Sequence, residues 1–242
     1  MNEWVLTPDR FLSKEEIGKL LKRAEELRSL GVAKSRKQPV RDWLIIRLAL
    51  LSGLRASEVS ALRVTDCFIG YSRSELVVRC GKGGKQRVVK IGKEMKRDLR
   101  WYLRWKAEQG ELSPEAYLLR SQRSEKLTRG AVWRRWKLSC PLHRLHDARH
   151  THATLLLEAS KDLRLVQKQL GHSRPTTTAV YAGIADERMT EAVNSMELLA
   201  RSALKPQKLA GVPIADIPEP ESSINSEAGL MLQAASGITH SA

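Results

Sequence analysis

The sequence is poor in cysteine and in long apolar runs, and each shortage excludes a class of protein. Only three of its 242 residues are cysteines. They form an odd set with no CxxC pair, which argues against a disulfide framework and against a cysteine zinc site. No apolar run approaches the ~18 residues of a membrane span, and the N-terminus lacks the charged-then-apolar layout of a secretory signal. We therefore expect a reducing, cytoplasmic setting and no membrane partner.

Acidic residues are also scarce, with 27 Asp and Glu against 42 Lys and Arg and a formal net charge of +15 at pH 7. The positive charge is spread along the chain rather than packed into one terminal tail. A basic, solvated surface alone would explain such a charge, so charge by itself leaves the partner open. The excess nevertheless favours a polyanionic partner, most often nucleic acid.

The length is sufficient for one sizeable core with extensions. Residues 13–204 carry the periodic patterns of one domain of catalytic size, after a short N-terminal extension over residues 1–12. Residues 205–242 are predicted to be a disordered tail, because this segment is rich in proline and has a net negative charge.

The apolar spacing predicts an α+β fold that is mainly α-helical. An amphipathic helix over residues 13–30 opens with a capping box of Ser13 and Glu16 and is expected to end at Gly31. The nearly all-round apolar run over residues 42–52 predicts a buried central helix. Further helices are predicted over or near residues 56–63, 93–109, 128–138, 146–160, 162–170 and 186–204.

Two β-prone runs, residues 75–80 and 86–91, flank the glycine-rich turn Gly81-Lys82-Gly83-Gly84-Lys85. This pattern predicts a small antiparallel hairpin at one edge of the fold, with lysines at its tip.

Four histidines, His143, His146, His150 and His152, lie close together in the sequence. His146 and His150 stand one helical turn apart, a spacing that zinc sites use. No ligating Glu or Cys completes the set, so we predict no metal site and no cofactor.

A tyrosine placed nine residues after a histidine, Tyr181 after His172, is the most informative feature of the chain. A phenol has an unperturbed pKa of about 10 and attacks poorly at neutral pH unless a base or a cation lies nearby. His146 and Arg149, three residues apart on a helix, share one face and could present a base and a cation to the same phosphate. No carboxylate cluster suited to Mg²⁺ accompanies these residues. In an attack on a phosphodiester, the cations themselves must therefore neutralise the negative charge of the transition state.

Five motifs occur in the same order and at similar spacing as the signature of the tyrosine recombinases, also called the phage integrase family. The resemblance covers roughly residues 10–200 and implies that family's catalytic-domain fold. The motifs are Ser52-Gly53-Leu54-Arg55-Ala56-Ser57-Glu58, the Gly81-Lys82-Gly83 tip, His146-x-x-Arg149, Leu170-Gly171-His172 and Tyr181.

The resemblance implies a catalytic role for each matching residue. Tyr181 looks like the nucleophile that attacks the scissile phosphate, and Arg55 and Arg149 look like the pair that holds its non-bridging oxygens. Glu58, one turn after Arg55, is expected to orient Arg55 without itself contacting the phosphate.

The same resemblance assigns the remaining proton-transfer and phosphate contacts. His146 resembles the general acid/base, and His172 resembles the residue that hydrogen-bonds the phosphate. Lys82 resembles the lysine that protonates the departing 5′-oxygen, with Lys85 as the alternative for that role.

The function implied is site-specific DNA recombination, including integration of mobile elements, through a 3′-phosphotyrosyl intermediate without metal or ATP. The partners implied are double-stranded DNA, further copies of the chain in dimers or tetramers, and accessory DNA-binding proteins. A type IB topoisomerase and a non-catalytic DNA-binding regulator are the alternatives.

The sequence departs from the family pattern in two places. Ala148 stands where leucine is usual. Only about a dozen residues precede the first helix, where most members carry a helical core-binding domain. This predicts either a recombinase with a catalytic domain alone or a remnant of a longer one.

Overall fold

The computed structural model describes residues 11–70, 72–79, 86–121, 124–171 and 193–198. Its first helix, α1, spans Lys14–Ala33 and begins at a capping box. The Ser13 hydroxyl accepts from the Glu16 backbone N–H at 3.2 Å, and the Glu16 carboxylate accepts from the Ser13 N–H at 2.8 Å. The predicted capping box is therefore confirmed.

The predicted end of this helix at Gly31 is wrong, since α1 continues to Ala33. A Cβ atom at Gly31 would lie 2.6 Å from Val40 Cγ2. The glycine therefore allows the next helix to approach closely, and it does not terminate its own.

Helix α2, Lys37–Ser52, is the centre of the fold. Every residue from Val40 to Ser52 is buried, and the helix packs against α1 and against four of the helices described below. The predicted buried helix is confirmed, but it begins at Lys37 rather than at residue 42. Pro39 is compatible with this earlier start because the first turn of a helix needs no N–H donor from it.

Three short strands form one antiparallel sheet, in the order β1, β2, β3. They span Cys67–Phe68, Glu75–Val78 and Arg87–Lys90. The two longer strands are the predicted hairpin arms, with Leu76 paired to Val89. The sequence did not predict β1, which is only two residues long. The lysine-bearing tip, residues 81–85, lies outside the described residues.

The other named helices match their predicted bounds to within two residues at each end. They are α3, Ala56–Ala61; α4, Lys93–Glu108; α5, Arg129–Ser139; α6, Leu145–Ser160; and α7, Leu163–Leu170. Asp162 caps α7 by accepting from Arg164 N at 2.8 Å, and Gly171 ends it with a φ of 66°. Among the described helices, none is long and apolar enough to cross a membrane.

Residues 193–198 are helical and lie against the N-terminus of α4. Val193 and Met196 are buried, and the Glu197 carboxylate accepts from the backbone N–H groups of Glu94 and Met95 at 3.0 and 3.3 Å. These residues belong to the helix predicted over 186–204, and its apolar stripe is packed as expected at both of these positions. The rest of that helix, residues 1–10 and the predicted tail over 205–242 lie outside the described residues.

Candidate active site

A buried carboxylate, Glu58, lies at the centre of the candidate site. Its side chain is 2% exposed and stands in the first turn of α3. It accepts hydrogen bonds from Arg55 twice, from the backbone N–H at 2.8 Å and from Nη1 at 2.8 Å. The turn that delivers Arg55 contains Gly53 in the left-handed region, with a φ of 62°, where a glycine is favoured. The Arg55–Glu58 pair is thus buried on its acidic side and is not a surface ion bridge.

Arg87 on β3 approaches the same carboxylate from the sheet. Its Nη1 and Nη2 donate to the two oxygens of Glu58 at 2.7 and 2.9 Å, a bidentate pair. Sequence reasoning did not assign this role to Arg87. Strand alternation holds a signal for it, because Arg87 shares a face with Val89 and Ile91, which are both fully buried. A cation on the buried face of a strand requires an acidic partner.

Arg149 on α6 completes the cluster and ties two helix ends together. Its Nη1 donates to the Gly53 carbonyl at 2.7 Å, and its Nη2 donates to the Leu170 carbonyl at 2.5 Å. These carbonyls stand at the C-terminal ends of α2 and α7, where helix dipoles place partial negative charge. Nη1 also lies 3.8 Å from Glu58 Oε2, and the side chain is 2% exposed.

The cluster has three guanidiniums around one carboxylate, and it is therefore positively charged. Burial by itself would raise the pKa of Glu58, but the hydrogen bonds from Arg87 and Arg55 outweigh it and lower that pKa to about 2. Burial, with the neighbouring Arg55 second, lowers the pKa of Arg149 to about 9, so its guanidinium stays charged at neutral pH. The Arg55 side chain is 24% exposed and uses only Nη1 within the described residues. Its remaining side-chain N–H groups have no acceptor in the part of the chain that the structure describes, and they are able to donate to an oxyanion.

His146 stands at the start of α6 beside these cations. Its ring is exposed to solvent and packs edge-on against His150, with the ring centroids 4.5 Å apart. Partial burial, then the charges of His150, Arg149 and Arg55, lower the pKa of His146 below its ordinary value of 6.5. The imidazole is therefore neutral near pH 7 and able to accept a proton.

His152 lies behind the Gly53 turn and is fully buried. Its Nδ1 donates to the Leu50 carbonyl at 2.9 Å, and burial lowers its pKa to about 4, so the ring is neutral. His143 pairs instead with Glu16 on α1 at 3.0 Å. Within the described ranges, no group of three or more His, Cys, Asp or Glu side chains is placed to hold a metal ion.

The structure therefore brings together four of the residues predicted from the sequence, namely Arg55, Glu58, His146 and Arg149. The other predicted site residues, Lys82, His172 and Tyr181, and the alternative Lys85, lie outside the described residues. Their roles remain predictions. Gly171, the residue before His172, lies against the cluster, because a Cβ atom there would be 2.4 Å from Arg87 Cδ.

Comparison with known sequences identifies relatives over most of the chain. The family model described as the phage integrase family matches residues 10–188. Tyrosine recombinase XerA of Pyrococcus horikoshii is 31% identical over 195 residues, which cover 78% of this chain and 62% of that protein. XerA of Thermococcus kodakarensis is 35% identical over 190 residues, covering 76% and 64%. XerD of Ralstonia nicotianae is 38% identical over 158 residues, covering 62% and 50%. This chain thus spans between half and two thirds of the length of these three relatives.

Comparison with solved structures identifies the same fold. The crystal structure of XerA recombinase matches with a TM-score of 0.54 and 22% identity, over 81% of this chain and 66% of that one. The pre-cleavage complex of XerH site-specific recombinase with its difH substrate matches with a TM-score of 0.55 and 25% identity, over 68% of this chain and 47% of that one.

Proposed function

Because this chain belongs to the phage integrase family, we propose that it is a site-specific DNA recombinase that cuts and rejoins DNA through a 3′-phosphotyrosyl intermediate. The observation that carries the proposal is the convergence of Arg55, Arg87 and Arg149 on the buried carboxylate of Glu58. The cluster holds the partly exposed Arg55 guanidinium beside the neutral His146 imidazole, and it leaves some of the Arg55 N–H groups without an acceptor among the described residues. The curated relatives named tyrosine recombinases support the same reaction.

The proposed reaction is a transesterification in which atoms and charge balance. The Tyr181 phenol oxygen forms a bond to the scissile phosphorus while the bond to the 5′-oxygen breaks. His146 takes the phenol proton, and Lys82, or Lys85, gives a proton to the departing 5′-oxygen. His172 donates a hydrogen bond to the phosphate. Attack by the 5′-hydroxyl of another strand reverses the step, so rejoining needs no ATP.

Electrostatic stabilisation is the main contribution of the described residues. Negative charge builds on the non-bridging oxygens in the transition state, and preorganised donors there are each worth roughly 10²–10³ in rate. Arg55 offers to these oxygens the N–H groups for which no described residue is an acceptor, and Arg149 adds a fixed positive charge behind it. Glu58 has both oxygens engaged by arginines, so it orients them and does not act as a base.

Double-stranded DNA is the proposed substrate, in keeping with the net charge of +15 and with the XerH relative, whose structure contains its difH substrate. We further propose that copies of the chain assemble as dimers or tetramers on DNA, with accessory DNA-binding proteins as further partners. The helix predicted over residues 186–204 is the candidate for contacts between copies, through positions other than Val193 and Met196, which are buried within this chain. Crosslinking on DNA during strand exchange tests this assembly, and monomers alone under those conditions would exclude it.

Covalent trapping tests the chemistry. The chain is incubated with a pool of nicked duplexes of randomised sequence, and adducts that survive denaturation are selected and mapped. Wild type and the control Tyr117→Phe, whose ring stacks under Arg63 on another part of the surface, are expected to form the adduct. Tyr181→Phe is expected to form none, and an adduct with that variant would refute the assignment of the nucleophile.

The same preparation separates the alternatives. Relaxation of supercoiled plasmid without recombinant product would favour a topoisomerase. DNA binding by the wild type without any adduct would favour a regulator.

A further inference from the structure

A cleft of about 810 Å³ lies at the N-terminal end of α2, at the other end of that helix from Arg55. The helix has 16 residues, so its two ends are roughly 24 Å apart at 1.5 Å per residue. The loop before α2, the chain after α4 and Arg135 of α5 line the cleft. It is therefore separate from the candidate active site.

Basic side chains dominate the lining of this cleft. Among the described residues that line it, Glu111 is the single carboxylate, and the basic residues are Arg36, Lys37, Arg41, Arg120 and Arg135. Arg135 is neutralised by Asp42, to which its Nε donates at 2.6 Å. Arg36 and Arg120 are exposed, and their side chains have no hydrogen-bond or ion-pair partner within the described ranges. The mouth of the cleft thus has two unneutralised guanidiniums.

More positive than negative charge also surrounds Glu111, from Lys37 and Arg41 of the lining and from Lys106, which lies behind Glu111 and does not line the cleft. Glu111 accepts from Lys37 at 2.9 Å and from Arg41 Nη2 at 2.9 and 3.0 Å, and it lies 3.8 Å from Lys106 Nζ. The side chains of Lys106 and Arg41 are 1% and 2% exposed. Within the described part of the chain, Lys106 Nζ and Arg41 Nε have no hydrogen-bond partner. Burial lowers the pKa of Lys106 to about 8, and the charges of Arg41 and Arg120 act in the same direction.

A purely structural ion-pair network is the competing explanation, and another site in the same protein illustrates one. Arg47 is buried and faces two carboxylates, donating to Asp98 at 2.5 Å and to Glu94 at 3.4 Å. That network has two carboxylates for two cations, because the exposed Arg97 also lies 3.8 Å from Glu94. At the cleft one carboxylate serves three cations, and Arg41 Nε, on a side chain of the lining, has no hydrogen-bond partner among the described residues. Such an excess of buried positive charge is unfavourable without a further negative charge. A bound anion would supply that charge.

We propose that this cleft is a second phosphate-binding site, and that its ligand is a backbone phosphate of the DNA on which the chain acts. The proposal rests on the function proposed above. A distance of roughly 24 Å corresponds to about seven nucleotide steps along one strand. One duplex is long enough to span this distance, so the proposed contacts are one phosphate at Arg55 and another in the cleft. A free oligophosphate shares this chemistry, and the experiment separates the two sources.

The first measurement is the salt dependence of DNA binding by the full chain. Kd for a 30-base-pair duplex is measured at several KCl concentrations for the wild type and for the double variant Arg36→Ala/Arg120→Ala. The slope of log K against log[KCl] is expected to be smaller by about 1 in the variant, because each phosphate contact contributes about 0.9. The matched control is Lys22→Ala/Arg104→Ala, which removes from α1 and α4 two exposed cations without a partner in the described ranges. It is expected to leave the slope unchanged.

The second measurement uses inorganic triphosphate and needs no DNA. Triphosphate is expected to raise the melting temperature of the wild type and of the control, but not that of Arg36→Ala/Arg120→Ala. Lys106→Met is expected to weaken the response to triphosphate, because it removes a positive charge behind the cleft. It is also expected to raise the melting temperature of the unliganded protein by about 2–4 °C, since it removes the third cation that shares Glu111. A purely structural Lys106 would instead give a lower melting temperature.

Each outcome decides the proposal. Equal salt slopes and equal triphosphate responses in the variant and its control would overturn it. Loss of the triphosphate response with an unchanged DNA slope would assign the cleft to a free oligophosphate and overturn the DNA ligand. A reduced slope in a chain that forms no covalent adduct would support the cleft while the proposed recombinase function fails. Adduct formation with unchanged slopes would refute the cleft alone.

Discussion

Replacing Glu58 by glutamine removes the one negative charge that three arginines share. The pKa of Glu58 is about 2 in the folded protein, against an ordinary value of 4.5. At about 1.4 kcal/mol for each pKa unit, the ionised carboxylate stabilises the fold by about 3 kcal/mol at neutral pH. Because the folded-state pKa is depressed, this contribution is present above pH 4.5 and is lost as the pH falls toward 2.

Urea unfolding at two pH values measures this contribution directly. The free energy of unfolding of wild type and Glu58→Gln is determined at pH 7 and at pH 3 from tryptophan fluorescence. The difference between the two proteins is expected to shrink by about 2 kcal/mol between pH 7 and pH 3, since only the wild type loses a stabilising charge. The shrinkage does not depend on how well glutamine packs, because glutamine does not titrate.

The matched control is Glu26→Gln on α1. That carboxylate is 52% exposed and pairs with Arg23 at 3.4 Å, so its replacement is expected to change stability by less than about 1 kcal/mol at either pH. A difference between wild type and Glu58→Gln that is the same at pH 7 and pH 3 would show that the arginines do not hold Glu58 ionised, and the cluster described above would be wrong.

Three further predictions follow from single positions. Gly53→Ala is expected to lower the free energy of unfolding by more than about 1 kcal/mol, because φ is 62° and the new Cβ would lie 2.7 Å from the buried His152 imidazole. The control Gly130→Ala, whose Cβ would meet nothing within 4 Å, is expected to raise the free energy of unfolding by about 0.5–1 kcal/mol. Equal effects of the two substitutions in thermal unfolding would contradict this difference. Arg87→Met is expected to slow adduct formation by about 10- to 100-fold, because Glu58 and the Arg55 that it orients would be misplaced, and to change DNA affinity only a few-fold. An unchanged cleavage rate on a nicked substrate would refute the role of Arg87. Burial raises the pKa of Glu197 to about 7, so the packing of residues 193–198 is strongest below pH 4.5 and weakens as the pH rises through 7. Hydrogen exchange of the amides of these residues, corrected for intrinsic rates, is expected to be faster at pH 8 than at pH 6 in the wild type. Glu197→Gln is expected to show no such difference.

Local signals predicted the elements well, because they depend on neighbouring residues. The capping box at Ser13, the all-round apolar run of α2 and the glycine that ends α7 each specify a helix boundary or a buried face within one or two turns of chain. Gly31 shows where such signals fail. A glycine required for close packing against Val40 and a glycine that ends a helix look the same in a sequence.

Motif resemblance predicted four of the residues that the structure brings together, Arg55, Glu58, His146 and Arg149, but it predicted neither Arg87 nor the hydrogen bonds that join the cluster. Arg87 reaches Glu58 across 29 positions, and Arg149 reaches the Gly53 carbonyl across 96. Pairings at such separations depend on how α2, α6 and the sheet pack together, and no periodic pattern encodes that packing.

The way the cluster is divided along the chain has a consequence for protein synthesis. Arg55, Arg87 and Arg149 come from three separate elements and meet only when α6 has packed against α2. A nascent chain that has not yet emerged as far as α6 holds only part of the oxyanion-binding site, and the tyrosine proposed to attack DNA is translated later still. Under the proposed function, a nascent chain would therefore lack the complete site for breaking DNA until α6 has been made and has packed against α2.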